Sequence, residues 1–238
     1  MDSPLSLLEN LRSKHVIDLS QALEEHMPHF PTHSKFFHNL WGSYWHGERS
    51  LTYQLNMNEH TGTHVDAPAH FISDAKPEAH VTIDQIPLTR LMGRGVRIDC
   101  RKFKEGDRVS RDFVAKWEAE HGAIQAGDIV LFNFDWSKHW GLRPKSRRYA
   151  EDWPGVSMEV AVYLIEKSVS ALGVDTLSPD APEALRTVPI HPVVLEKQVL
   201  IVENLCNLSE LPDFFIFMAL PLKIGGGSGS PIRAIAFV

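Results

Sequence analysis

The chain has 238 residues, 43% of them hydrophobic, so it can bury the core of one sizeable domain or two small ones. Its net charge of −6 and its scattered basic residues exclude the basic stripe that nucleic-acid binding requires. Its apolar runs are shorter than the roughly 18 residues of a spanning helix, and Met1–Lys14 is polar, so we expect no membrane partner and no secretory signal. The two cysteines, Cys100 and Cys206, form no CxxC pair, which favours reduced thiols and a cytoplasmic protein.

Several segments carry the apolar patterns of β-strands. Leu51–Met57 alternates apolar and polar residues, which is typical of a strand with one buried face. Ile129–Phe134 and Phe214–Leu220 are nearly continuous apolar runs, and they predict strands that are covered on both faces. The predicted strands are Val16–Leu19, Leu51–Met57, Val96–Asp99, Ile129–Phe134, Val199–Val202, Phe214–Leu220 and Ile232–Val238.

Helices are predicted between these strands. Ser110 and Ser157 can each cap a helix whose apolar spacing is helical, and Gly122 lies just past the end of the first. A shorter helix is predicted over Pro192–Lys197. Strands with interspersed helices predict an α/β fold in one domain, residues 1–238, although periodicity does not fix its topology.

Four metal-binding side chains are concentrated in the segment Asn58–Phe71. His60, His64, Asp66 and His70 fall within eleven residues of each other. A glycine and a proline in the same segment oppose a continuous helix. We therefore expect extended backbone, which would point these even-numbered side chains to one face.

The residue types of this cluster suit a metal. Imidazole and carboxylate suit zinc, manganese or ferrous iron, and three ligands, His60, His64 and Asp66, leave a coordination position for water. A metal lowers the pKa of its water towards roughly 7, which supplies hydroxide at neutral pH. His70, outside the ligand set, can then move protons. The alternatives are a polar turn that bonds to backbone and a purely structural metal.

The segment His60–His70, HTGTHVDAPAH, resembles the HxGTHxDxPxH signature of the cyclase family, which includes kynurenine formamidase and isatin hydrolase. Ile17–Ser20 resembles the family's opening strand, and Ala219–Lys223 with Gly226–Ala234 resembles its closing pattern. Roughly Val16–Val238 is covered. The resemblance implies a swivelling β/β/α domain, with a small barrel-like sheet flanked by helices, and a homodimer or homotetramer.

The resemblance also implies a second metal position that the motif aspartate bridges to the first. The matching later residues are His191 and Glu203, so the implied cofactor is one or two Zn²⁺ per chain, with Mn²⁺ as the alternative. Glu203 is notable in its own right because it follows the apolar strand Val199–Val202. An ionised carboxylate at such a position needs a partner or a metal.

Aromatic side chains are candidate walls of a substrate site. Trp136 and Trp140 follow a predicted strand, where loops often carry substrate contacts, and Phe30 with Trp41 is a second candidate pair. Ordinary core or surface roles are the alternative for each of them.

Two further features have competing interpretations. Asp180 can hold a histidine ligand in orientation, or it can be a solvated loop acid. The segment Gly225–Pro231 lacks the ending of a phosphate-binding loop and predicts a tight turn before the last strand, whose backbone could approach the metal site.

The expected function is metal-dependent hydrolysis of a carbon–nitrogen bond in an amide, with His70 as the proton shuttle. N-formylkynurenine is the first substrate hypothesis; a cyclic amide or imide such as isatin, or a lactone, is the second. A metal- or ligand-binding protein without turnover stays open, as does cyclisation or dehydration of a polyketide-like substrate. The extra histidine favours an enzyme, because a structural metal site has no use for it.

Overall fold

The computed structural model describes residues 3–187 and 189–238, which form helices and strands in alternation. The helices are α1 Pro4–Arg12, α2 Arg111–His121, α3 Met158–Glu166, α4 Pro182–Arg186 and α5 His191–Glu196. The strands are β1 Val16–Asp18, β2 Phe37–Gly42, β3 Thr52–Asn56, β4 His64–Asp66, β5 Met92–Asp99, β6 Arg108–Val109, β7 Ile129–Asn133, β8 Gly155–Val156, β9 Ala171–Val174, β10 Leu200–Glu203, β11 Phe214–Pro221 and β12 Gly229–Phe237.

The three predicted helices are confirmed as α2, α3 and α5. The Ser110 hydroxyl accepts a hydrogen bond from the Phe113 amide at the start of α2, and Ser157 does the same for Val160 in α3. Helix α2 ends at Gly122, whose φ of 127° is a conformation that favours glycine.

The main sheet closes on itself, which confirms the implied barrel-like sheet. Its strand order is β12-β11-β5-β7-β9-β10-β4, and β4 pairs back onto β12. Strands β5, β7, β9 and β10 run parallel to one another, and the remaining pairs are antiparallel. One edge of β12 is divided between two partners: Gly229–Pro231 pairs with β4 and Ile235–Phe237 pairs with β1.

Two hydrophobic cores lie on the two faces of this sheet. Along β7, Ile129 and Leu131 belong to the core inside the barrel, while Val130 and Phe132 belong to the core under the helices. This alternation confirms that the continuous apolar run is a strand covered on both faces.

Strands β2 and β3 form a separate two-stranded sheet, here called the hairpin, residues Phe37–Asn56. The predicted strand Leu51–Met57 is confirmed as β3, but its predicted half-burial is wrong for the single chain. Tyr53 and Leu55 are exposed in the structure. The alternation in the sequence identifies an apolar face of the strand, but it does not specify whether anything covers that face. No helix among the described residues has the length and apolarity to cross a membrane.

Candidate metal centre

The first half of the site lies on β4 and the turn before it. Strand β4 pairs with β10 and β12, so His64 lies opposite Glu203 and Asp66 lies opposite Gly229. Strand alternation points His64 and Asp66 to the same side, as predicted. His60 enters from the preceding turn, and its Nδ1 lies 2.7 Å from Asp66 Oδ1.

His70 departs from the extended backbone that the sequence predicts. The segment Pro68–His70 is one turn of 3₁₀-helix, in which proline occupies the first position, where its missing N–H costs nothing. The turn nevertheless brings the His70 ring to 3.9 Å from the His60 ring, measured between centroids.

The second half of the site comes from β10 and α5. Glu203 is the last residue of β10 and His191 is the first residue of α5. His191 Nε2 lies 3.2 Å from Glu203 Oε1 and 3.5 Å from Asp66 Oδ2, and His64 Nε2 lies 3.3 Å from Glu203 Oε2. All five implied ligands therefore meet, in two groups that share Asp66.

These separations fit a bound divalent metal. Two ligands about 2.0–2.1 Å from a tetrahedral zinc lie roughly 3.4 Å apart. In the first group, His64 Nε2 is 3.4 Å from Asp66 Oδ1, and in the second, His191 Nε2 is 3.2 Å from Glu203 Oε1 and 3.5 Å from Asp66 Oδ2. His60 Nδ1, 2.7 Å from Asp66 Oδ1, is closer than this spacing because the two atoms are hydrogen-bonded to each other. Asp66 offers Oδ1 to one group and Oδ2 to the other, which is the arrangement of a bridging carboxylate.

The burial of the two carboxylates also fits a cation. Asp66 is 1% exposed and Glu203 is 6% exposed. Within the described residues, their ion-pair partners are histidines alone, with no lysine or arginine. Because buried carboxylates need compensating charge, this donor set suits one or two divalent ions.

Each histidine ligand is oriented by a hydrogen bond at its other ring nitrogen. His64 Nδ1 bonds the Gly62 carbonyl at 2.8 Å, and His191 Nδ1 bonds Asp180 at 2.5 Å, so both leave Nε2 for a metal. His60 Nε2 bonds the Ser228 hydroxyl at 3.0 Å, which leaves Nδ1. Ser228 belongs to the glycine-rich segment Gly225–Pro231, so this segment does approach the site.

Asp180 is fully buried, so the solvated-acid hypothesis is wrong. It also accepts a hydrogen bond from the Ile190 amide at 2.7 Å, which fixes the start of α5.

The electrostatics of the cluster show how strongly the carboxylates favour positive charge. Burial lowers the pKa of His64, but hydrogen bonds to Asp66 and Glu203 outweigh it and raise that pKa to about 10. The pKa of His191 is raised in the same way, by Asp180, Asp66 and Glu203 against burial. A metal held by these groups takes the place of the protons, so its binding releases them.

A cavity of about 200 Å³ opens beside the ligands. His70 lines it, and burial lowers the pKa of His70 to about 4. The remaining lining residues beyond the five ligands are Phe30, Thr32, His33, Phe71, Ser178 and Leu185.

Of the predicted aromatic walls, only Phe30 lines this cavity. Trp41 is exposed on β2. Trp136 is buried, with its Nε1 donating to the Tyr149 carbonyl at 3.0 Å, and Trp140 packs edge-on against the Tyr149 ring. The core interpretation therefore holds for both of these tryptophans in the single chain.

Sequence reasoning missed several lining residues. Phe71 directly follows the motif, and its ring lies 5.0 Å from that of His191, so adjacency to the motif was an available signal. Thr32, His33, Ser178 and Leu185 carry no pattern of their own, because the fold brings them in from separate segments.

Comparisons with known proteins identify the family and the fold of the chain. The family described as "Putative cyclase" matches residues 17–181. The chain is 34% identical to an isatin hydrolase of Roseibium aggregatum over 192 residues, 76% of this chain and 73% of the relative. It is 29% identical to a kynurenine formamidase of Erythrobacter litoralis over 93% of each chain. The solved isatin hydrolase A from Labrenzia aggregata, bound to benzyl benzoate, superposes with a TM-score of 0.90 at 31% identity, covering 100% of this chain and 99% of that one.

The fold and the site define a barrel protein with two histidine–carboxylate groups that share Asp66 and could each hold a metal ion. The chain belongs to the cyclase family.

Proposed function

We propose that this protein is a metal-dependent hydrolase that opens a neutral, flat cyclic amide of the isatin type. The choice of this substrate class rests on the charges of the side chains that line the cavity. Among the described residues, no lysine or arginine lines it, and Phe30 and Phe71 supply aromatic surface. A neutral fused ring needs only such apolar walls beside the reacting carbonyl.

N-formylkynurenine, the first hypothesis from the sequence, becomes the second candidate. Its amino-acid end carries a carboxylate, which usually needs an arginine or lysine in a closed site. The match to a kynurenine formamidase over 93% of each chain favours keeping it, while the higher identity to an isatin hydrolase supports the cyclic amide.

A divalent metal at this centre would supply Lewis acidity and lower the pKa of water. His60, His64 and Asp66 would hold one ion, and Asp66, His191 and Glu203 would hold a second. Phe30 and Phe71 line the cavity, and in this proposal they hold the amide with its carbonyl facing the carboxylate–histidine cluster.

His70 moves the proton in this proposal. It lines the cavity beside the cluster and is not needed as a ligand, so its ring can accept the proton that the attacking water loses. The water oxygen forms a bond to the carbonyl carbon, the bond between that carbon and the ring nitrogen then breaks, and His70 returns the proton to that nitrogen. The product is an amino acid with an open chain, which is one water heavier than the substrate.

The test combines metal content with substrate preference. Protein purified without chelators is analysed by elemental mass spectrometry and assayed against isatin, N-formylkynurenine and a lactone, before and after chelation and metal add-back. We expect one or two metals per chain and chelator-sensitive opening of isatin, at least tenfold faster than release of formate from N-formylkynurenine.

Each other outcome has a distinct meaning. The reverse preference would make the protein an arylformamidase. Stoichiometric metal without turnover of any of the three substrates would favour a binding role. Absence of metal, even after zinc or manganese is added back, would contradict the metal centre itself.

A further inference from the structure

Glu59, the residue before the candidate ligand His60, carries a carboxylate that the proposed mechanism does not use. Its side chain is half-buried, and its Oε2 accepts two hydrogen bonds from Ser228. The Ser228 backbone amide donates one at 2.8 Å and the hydroxyl donates the other at 2.7 Å. Hydrogen bonds to a carboxylate are roughly twice as strong as neutral ones, so this contact fixes Ser228 firmly.

The same hydroxyl also contacts His60. Ser228 Oγ lies 3.0 Å from His60 Nε2, the ring nitrogen that does not face Asp66. Successive side chains of an extended strand point to opposite faces, but Glu59 and His60 lie in a turn, so both can reach one serine. The three side chains therefore form a continuous hydrogen-bonded chain of carboxylate, hydroxyl and imidazole that ends at a candidate metal ligand.

The carboxylate sets the direction of each hydrogen bond in this chain. A carboxylate only accepts, so the Ser228 hydroxyl gives its single proton to Glu59. The hydroxyl oxygen then acts as an acceptor toward His60, and the His60 Nε2 atom carries the N–H that donates to it. With a proton fixed on Nε2, the ring presents Nδ1 to Asp66 and to a metal ion.

The backbone around Ser228 is held in place on the side of the metal centre. The Ser228 carbonyl accepts a hydrogen bond from the Ala67 amide at 2.9 Å, directly after the candidate ligand Asp66. The Glu59 carboxylate also lies close against the turn, because a β-carbon added at Gly227 would be 2.8 Å from Glu59 Oε1. The serine hydroxyl therefore has a fixed position from which it can orient the ligand ring.

We propose that Glu59 is a positioning residue that acts through Ser228 to hold the His60 ring with Nδ1 toward the metal. This inference rests on the metal centre of the proposed function. Glu59 is not among the described residues that line the cavity, so its effect belongs to metal affinity rather than to substrate contact. Loss of such an outer partner typically lowers metal affinity about 10–100-fold.

The test is a double-mutant cycle measured as zinc affinity. Chelator-treated wild type, Glu59→Gln, Ser228→Ala and the double variant are titrated with zinc against a chromophoric chelator. The variant His60→Ala identifies which binding constant belongs to the group that contains His60. We expect Glu59→Gln to weaken this constant about tenfold, because glutamine keeps the shape of the side chain but loses the charge that directs the hydroxyl.

The cycle then separates action through Ser228 from a general effect of charge. Ser228→Ala should weaken the same constant at least as much as Glu59→Gln does. Adding Glu59→Gln to Ser228→Ala should change it by no more than about twofold, because the hydroxyl that links the carboxylate to His60 is already missing.

The matched control is Asp84→Asn. Asp84 Oδ1 accepts a hydrogen bond from the Gly226 amide at 3.1 Å, so this residue also binds the glycine-rich segment with a carboxylate, two residues before Ser228. We expect Asp84→Asn to keep the wild-type zinc affinity. Cobalt(II), whose visible absorption bands depend on ligand geometry, gives a second readout. Its bands should shift in Glu59→Gln and match the wild type in Asp84→Asn.

Circular dichroism establishes that each variant is folded. Wild-type zinc affinity in Glu59→Gln would overturn the proposal, as would losses that multiply in the double variant. An equal loss in Asp84→Asn would also overturn it, since Glu59 would then only support the turn. A wild type that binds no zinc would contradict the metal centre itself, and this inference with it, so the two failures are distinguishable.

Discussion

His70 differs from the other histidines of the centre in what holds its ring. His60, His64 and His191 each use one ring nitrogen for a bond to Ser228, Gly62 or Asp180, and present the other to the carboxylates. His70 instead lines the cavity, with its ring stacked at a tilt over His60. This surrounding suits a group that moves protons rather than one that holds a metal.

Replacing His70 should therefore separate catalysis from metal binding. We expect His70→Ala to lower kcat at least 100-fold, since general acid–base catalysis contributes about 10²–10⁴-fold, while metal per chain stays unchanged. His64→Ala should lose both metal and turnover. Elemental analysis and steady-state kinetics on the same preparations measure the two quantities.

The matched control is His15→Ala, which removes an exposed histidine and should keep both metal and rate. A His70→Ala protein that turns over substrate at the wild-type rate would refute the shuttle assignment.

At this scale the sequence found the residues that meet in the buried cluster, but of the proposed cavity walls only Phe30 lines the cavity. His60, His64 and Asp66 are close together in the chain, so their chemistry is visible as a motif. An aromatic residue after a strand, such as Trp136, has the same pattern whether it faces the core or a cavity. Only the packing around Tyr149 decides between these roles.

At the scale of elements, Gly229 at the start of β12 packs closely against His60, which belongs to the candidate ligand group His60, His64 and Asp66. A β-carbon added at Gly229 would lie 2.5 Å from His60 Cε1 and 2.8 Å from the Val65 carbonyl oxygen. The backbone oxygen cannot move without disturbing β4, so glycine is required here for space.

We expect Gly229→Ala to displace His60 and to weaken zinc binding at least tenfold. Competition with a chromophoric chelator measures the affinity. The matched control is Gly225→Ala in the same glycine-rich segment, where an added β-carbon meets nothing within 4 Å. Equal zinc affinity in the two variants would show that His60 tolerates the displacement.

How well the sequence predicts each strand depends on the length and composition of that strand. Strands β7 and β11 are long and apolar, so periodicity finds them. Strand β4 is three residues long and two of these are candidate metal ligands, while β9 contains Gly173, which a strand pattern disfavours. Gly173 is needed because an added β-carbon would lie 2.4 Å from Leu131 Cδ2.

At the scale of the whole molecule, the metal centre joins segments that are distant in the chain. Metal bound by the folded centre stabilises the fold by mass action, about 2.7 kcal/mol when free metal is 100 times its dissociation constant. We expect chelation to lower the midpoint of urea unfolding and metal add-back to restore it.

The variants sharpen this measurement. His70→Ala should keep the metal-dependent shift, and His64→Ala should lose it. A wild-type midpoint that does not respond to chelator would contradict a metal held between the two halves of the centre.

The closure of the barrel lay beyond periodicity, because it depends on strand pairs that are far apart in sequence. β4 pairs with β10 and β12, and no local pattern specifies either contact. The resemblance to the cyclase family supplied the barrel, and the described structure confirms it.

The pairing of β4 with β10 and β12 also sets an order of events during synthesis. The Thr63 hydroxyl donates to the Asn204 carbonyl across 141 positions, and Gly229 of β12 covers the other edge of β4. A nascent chain emerges from the ribosome with His60, His64 and Asp66 long before His191 and Glu203 follow. The five candidate ligands can therefore come together only when the last third of the chain has been released, so a metal held by both groups would be acquired late in maturation.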